Sequence, residues 1–193
     1  RIVDLATGEY LSDEQMAELG FTADSFDKRK VIKDPELSVE LSRGQDVANI
    51  KRLPKYGRVY VFENADGGVD RVVLPVHGAG LWNMMYAYLA VEGDGNTITG
   101  LSFYEHGETP GLGGEVDNPN WKAQWPNKLL YRDDGSVGIE VTKAGQANVS
   151  DPYQVDGLSG STLTTVGVNH LVRFWVGESA FGPYLERLKD GEV

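Results

Sequence analysis

With 193 residues, 24 of them glycine, the chain is long enough for one substantial core and rich in turns and close backbone approaches. Its formal net charge of −11 sets it against nucleic-acid phosphates and against docking on anionic lipid through a basic patch. Without cysteine it can form no disulfide, thiolate metal site or iron–sulfur cluster, and its scattered histidines, His77, His106 and His170, lack metal-ligating spacing, so no metal site is expected.

Residues 1–30 are polar and acidic. Ser12 with Gln15 three residues on has the pattern of a capping box and predicts a short helix, with Leu11, Met16 and Leu19 on its apolar side. A second helix is expected over 34–48. Arg58–Glu63 reads as a strand, Asp66-Gly67-Gly68 as a turn and Val69–Val76 as the returning strand. Gly78-Ala79-Gly80 is expected to break the chain. Met84–Val91 and Thr97–Tyr104 then form a second hairpin about Asp94-Gly95-Asn96. The longest apolar stretch, Ala79–Val91, is interrupted by Asn83 and falls short of the roughly 18 residues a spanning helix needs. Gly107–Asn120 reads as a glycine-rich loop, Trp121–Trp125 as a helical turn stopped by Pro126, and Val137–Thr142 as a strand. From Thr162 onward, Leu163, Val166, Leu171, Phe174 and Trp175 approximate one face of a helix.

This order predicts an α+β fold with a mostly antiparallel sheet and flanking helices. No alternating β-α-β pattern supports a flavodoxin-like or Rossmann arrangement. Residues 1–57 are read as a helical extension packed on a core formed by 58–193.

Three segments could carry chemistry. Asp156-Gly157-Leu158-Ser159-Gly160-Ser161-Thr162-Leu163-Thr164-Thr165 is a hydroxyl-rich turn entering a helix. Backbone N–H groups at a helix start, with hydroxyls beside them, make a phosphate site, and the same residues also suit an ordinary N-cap. Glu105-His106-Gly107-Glu108-Thr109-Pro110-Gly111-Leu112-Gly113-Gly114 specifies a tight loop whose backbone can approach a ligand, or a plain surface turn. Its carboxylates Glu105 and Glu108, with Glu115, also raise a glycosidase reading, which solvated surface acids explain as well. Gly78-Ala79-Gly80-Leu81-Trp82-Asn83 offers Trp82 either as a ring for stacking on a planar ligand or as a core side chain.

Together these segments resemble the C-subunit family of the sodium-translocating NADH:quinone oxidoreductases, within the wider FMN-binding domain superfamily. Ser159-Gly160-Ser161-Thr162-Leu163-Thr164 resembles the family's S-G-A-T-x-T flavinylation motif, with Ser161 in place of the commoner alanine. Glu108-Thr109-Pro110-Gly111-Leu112-Gly113 matches its E-T-P-G-L-G loop. Gly80-Leu81-Trp82 and the tail Phe181-Gly182-Pro183-Tyr184-Leu185 resemble the same family.

The resemblance implies FMN joined by its phosphate to Thr162, an attachment made by a separate flavin transferase that recognises a motif opened by Asp156. It implies that Ser159, Gly160 and Ser161 shape the turn and that Leu163, Thr164 and Thr165 lie at the phosphate. Leu81, Trp82 and the loop of Glu108, Thr109, Pro110, Gly111, Leu112 and Gly113 are expected to flank the ring, and Lys143 is a further candidate for a flavin or phosphate contact. The partners implied are the other subunits of a membrane complex in the bacterial inner membrane, with this domain on the periplasmic side. The family's N-terminal membrane helix is not in this sequence, and the start at Arg1 is expected of a piece whose upstream segment was removed. The domain is expected to pass electrons without oxidising NADH itself, since no G-x-G-x-x-G follows a strand. The rival readings are the flavin subunit of an Rnf-type ferredoxin:NAD oxidoreductase and a non-redox module for a phosphorylated ligand. The apolar C-terminal tail is a candidate docking surface.

Overall fold

The computed structural model describes residues 1–193. Its centre is a four-stranded antiparallel meander: β5 (Tyr60–Glu63), β6 (Val69–Ala79), β7 (Met84–Glu92) and β8 (Ile98–Glu105), paired in that order. These follow β1 (Ile2–Asp4), α1 (Asp13–Glu18), α2 (Lys28–Lys33), β2 (Ser38–Glu40), β3 (Arg52–Pro54) and β4 (Tyr56–Arg58). After the meander come a 3-10 turn (Gly113–Asp117), α3 (Pro119–Lys122), β9 (Glu140–Val141), β10 (Gln154–Val155), α4 (Thr162–Trp175) and α5 (Gly182–Lys189). The α+β, mostly antiparallel expectation holds; β9 and β10 are the one parallel pair.

Alternation within the meander sorts its two faces. Val72, Leu74 and Val76 face the same side as their partners Val91, Leu89 and Ala87, and all six are fully buried. Helix α4 covers this side through Val168, Leu171, Val172 and Trp175, and Phe181, Tyr184, Leu185 and Leu188 complete the core. On the other side Tyr60, Tyr88 and Tyr104 stand half-exposed in a row, with the rings of Tyr88 and Tyr104 stacked at 4.6 Å between centroids.

Ser12 and Gln15 cap α1 reciprocally: Gln15 N donates to Ser12 Oγ at 3.2 Å and Ser12 N to Gln15 Oε1 at 2.8 Å. Met16 on this helix buries itself with Ile2, Phe26 and Val31 in a satellite cluster. The strand β1 pairs with β4, and Val3 and Leu5 enter the main core, so the first residues are woven into the same packing as the meander.

The structure corrects several local expectations. No helix runs over 34–48. The helix is α2, and it ends at Asp34 because Pro35 holds the residue before it in an extended conformation; β2 follows. The expected strand Arg58–Glu63 is interrupted at Val59, whose N–H and C=O bond to Arg1 at 2.9 and 3.0 Å. The break expected at Gly78-Ala79-Gly80 comes only at its end: β6 runs through Gly78 and Ala79 and stops before Gly80. A Cβ on Gly78 would lie 2.9 Å from Leu171 Cβ, so this glycine lets α4 sit close on a continuing strand. Of Val137–Thr142 only Glu140–Val141 is strand, because its partner β10 is equally short. The C-terminal tail is not a surface, since Phe181, Tyr184 and Leu185 are all core. The expected face of α4 holds at Leu171, Phe174 and Trp175, which are buried, and fails in the first turns. Thr164, Thr165, Val168 and Val172 are inside with them, while Leu163 and Val166 face solvent.

Candidate functional site

Three chain segments meet at the start of α4. Gly160 adopts the left-handed conformation, φ 71°, and turns the chain so that Ser161 precedes the helix and Thr162 opens it. Thr162 is exposed. The amides of Thr162, Leu163 and Thr164 have no hydrogen-bond partner, as the first turn of a helix leaves them unless something caps it. Ser161 does not cap them; its Oγ donates to Thr164 Oγ1 at 2.9 Å. Thr165 Oγ1 donates to the Ser161 carbonyl at 2.9 Å and accepts from Leu158 N at 2.9 Å, which ties the turn to the helix. Three free amides at the positive end of a helix, next to an exposed hydroxyl, form an anion site.

The second segment, Glu108–Gly113, packs against this turn. A side chain on Gly160 would meet Leu112 Cδ2 at 3.2 Å, and one on Gly113 would meet Thr164 Oγ1 at 2.5 Å. Glu108 is buried and accepts from the hydroxyl of Thr164. Its own N–H donates to His106 Nδ1 at 3.1 Å, so the imidazole carries its proton on Nε2 and donates to Asp117 at 2.8 Å.

The third segment, Gly80–Asn83, is held by the same carboxylate: Leu81 N and Trp82 N donate to Glu108 at 3.3 and 3.2 Å. Trp82 Nε1 donates to Thr109 Oγ1 at 3.2 Å, while the indole is 65% exposed, which removes the core reading of this tryptophan. The core tryptophans are Trp121, Trp125 and Trp175. Leu81, Trp82, Leu112, Leu163 and Val166 are all exposed on the three segments that carry the site. Such a set of apolar side chains beside an anion site fits a planar, largely apolar ring with a phosphate at its end.

Other expected residues lie elsewhere. The Asp156 carboxylate is engaged by another loop and accepts from Gly145 N, Gln146 N and Ala147 N at 2.9, 3.2 and 3.3 Å. Burial works against its charge, yet these amides outweigh it and hold the carboxyl below the usual carboxylate range. Lys143 is exposed on the loop that starts this turn and makes no ion pair; Thr142 before it and Ala144 after it border Gly157. Ser159 is exposed at the mouth of the turn, as are Thr109, Pro110 and Gly111 on the loop. The three acids behind the glycosidase reading are engaged separately. Glu105 pairs with Arg29, Glu108 is enclosed, and Glu115 accepts from Asn118 Nδ2 at 2.6 Å.

Two supports escape a reading of the sequence. The pair His106–Asp117 braces the Glu108 loop; its only sequence trace is a histidine two residues before the glutamate. Gly167 lets α4 cross the end of β6, since a Cβ there would lie 2.5 Å from the Ala79 carbonyl oxygen.

Residues 80–177, which span all three segments, match the family model of the FMN-binding domain. The C-subunit of the Na(+)-translocating NADH-quinone reductase of Yersinia pestis is 42% identical over 193 residues, all of this chain and 69% of the relative. That of Vibrio vulnificus strain YJ016 is 48% identical over 99% of this chain and 71% of its own length. The chain belongs to the C-subunit family of the Na(+)-translocating NADH-quinone reductases. The crystal structure of Shewanella oneidensis NqrC has the same fold, with a TM-score of 0.84 at 37% identity over 98% of this chain and 82% of that one. Membership makes the chain an FMN electron-transfer subunit of a multi-subunit, membrane-associated oxidoreductase complex. No helix of this chain is long and apolar enough to cross a membrane.

Proposed function

We propose that Thr162 Oγ1 carries the FMN through a phosphoester, installed by a separate flavin transferase, and that the domain passes electrons between other carriers of the complex on its periplasmic side. The observation that carries this reading is the combination at the first turn of α4 of an exposed hydroxyl with three unpartnered amides. A threonine hydroxyl is a weak nucleophile, and no basic group contacts it here, so the transferase supplies activation. The amides of residues 162–164 take the phosphate. Leu81, Trp82, Leu112, Leu163 and Val166 border the ring. Asp156 contributes by shaping the neighbouring turn, which presents the motif to the transferase. Bound FMN supplies the redox chemistry; the chain orients it and excludes water from one side.

The test is to express the protein with and without an active flavin transferase and weigh it after denaturation. The expected mass rises by one FMN minus water in the transferase-treated protein, and Thr162→Ala abolishes the rise. An unchanged mass beside a positive control for the transferase removes the covalent assignment, and a rise that survives Thr162→Ala moves the anchor elsewhere.

A further inference from the structure

The electron-transfer role asks nothing of Glu108, yet the site is built around it. Glu108 is 6% exposed and takes part in no ion pair. Its three partners are the amides of Leu81 and Trp82 and the hydroxyl of Thr164, all donors, as an acceptor-only carboxylate requires. The backbone is cut to fit it: a Cβ on Gly80 would stand 2.4 Å from one carboxylate oxygen, and one on Gly113 2.7 Å from the other. The arrangement also has a direction. Because Glu108 can only accept, Thr164 donates to it, and Thr164 Oγ1 is left to accept the Ser161 proton at 2.9 Å. A serine before a helix ordinarily accepts from the second or third amide; here both hydroxyls are drawn inward and those amides stay free.

We propose that Glu108 is the positioning residue of the flavin attachment site: it keeps the first-turn amides of α4 open for the phosphate and places an unpaired negative charge behind that turn. This rests on Thr162 as the anchor. The charge acts on whatever lies beyond the turn, since a nearby anion disfavours added negative charge where solvent is excluded. Reduction of the flavin is therefore harder with Glu108 than without it.

The test uses Glu108→Gln in the full-length protein, with a flavin transferase, and reads two quantities. Glutamine keeps the volume and removes the charge, and whichever way its amide is turned the NH2 group faces a donor, Trp82 N–H on one side or Leu81 N–H and Thr164 O–H on the other, so the all-acceptor set is broken. The initial rate of flavin attachment, followed by intact mass, is expected to fall at least tenfold. The midpoint potential of the loaded fraction is expected to rise, with the reduced-to-oxidised ratio at fixed poise up about tenfold, or 59 mV for one electron. Thr164→Val is the second variant. It breaks the hydroxyl chain and keeps the charge, so attachment slows while the potential does not rise. A wild-type rate or an unshifted potential in Glu108→Gln overturns the proposal and leaves Thr162 in place. If Glu108→Gln does not fold, a wild-type attachment rate in Thr164→Val, or a raised potential there, overturns it. Absence of flavin mass on the wild-type protein overturns both readings together.

Discussion

At Thr164 a hydroxyl is fully buried and serves two neighbours, donating to Glu108 and accepting from Ser161. A hydrogen bond to a charged group contributes about 1.5–3 kcal/mol, more than one between neutral groups, because the charge strengthens the electrostatic attraction. Thr164→Val, which preserves shape, is therefore expected to destabilise the protein by about 2 kcal/mol. Thermal unfolding should show this as a fall in Tm of roughly 4–8 °C. The exposed neighbour Thr162 has no such duty, so Thr162→Ala is expected to leave the Tm of the unmodified protein within about 1–2 °C of wild type. The pair separates a residue that holds the site from one that is used by it.

At the scale of elements, the site depends on how closely α4 approaches the end of β6. In an exposed helix, glycine to alanine stabilises by about 1 kcal/mol. At Gly167 the sign reverses, because the added methyl would meet the Ala79 carbonyl at 2.5 Å and Gly80 Cα at 3.4 Å. Backbone cannot swing aside as a side chain can, so α4 must move off the strand. Gly167→Ala is expected to cost a net of about 1–3 kcal/mol in chemical denaturation. A Cm at or above wild type would show that the two elements are free to separate. The same shift loosens Leu81 and Trp82, which follow Gly80, from Glu108.

Across the whole molecule, the N-terminal segment is tied to the core by packing that leaves a titration behind. Lys28 of α2 reaches over Trp175 and Tyr86, 5.3 and 6.0 Å from the ring centroids, and donates to the Pro75 carbonyl at 3.2 Å. Burial, reinforced by the charge of Arg29, lowers its pKa from 10.5 to about 7. Between those values the unfolded chain holds a proton that the folded chain has released, so stability rises as pH climbs from about 7 toward 10. Below about 7 both states are protonated and the penalty is constant. Lys28→Met is expected to flatten the rise of Tm over that window. An equally steep rise in the variant would assign the effect to another group. His77 sits under the same cluster, its ring stacked on Tyr86 at 5.5 Å, and burial lowers its pKa to about 2. It therefore adds a loss of stability as pH falls below about 6.5.

The amino-acid sequence by itself determined the local and periodic features. Hairpin turns at Asp66-Gly67-Gly68 and Asp94-Gly95-Asn96, the Ser12–Gln15 cap and the start of α4 follow from turn chemistry and short-range hydrogen bonding, and the motifs around Thr162 and Glu108 carry their family resemblance in contiguous residues. What it did not determine depends on partners distant in the chain. Periodicity places Leu171, Phe174 and Trp175 of α4 correctly but fails at its start, because Leu163 and Val166 are apolar and Thr164 and Thr165 are not. Only the fold supplies the enclosed carboxylate that satisfies the buried Thr164, while Thr165 is satisfied by Leu158 N and the Ser161 carbonyl. Gly78 reads as a break because glycine has two uses, and the nearness of Leu171 decides between them. The C-terminal tail reads as a surface until the meander and α4 give it a core to enter. Tertiary structure alone decided that residues 80–83, 108–113 and 159–167 share one buried carboxylate, because hydrogen bonds across such separations form only after the sheet and helix have closed around them.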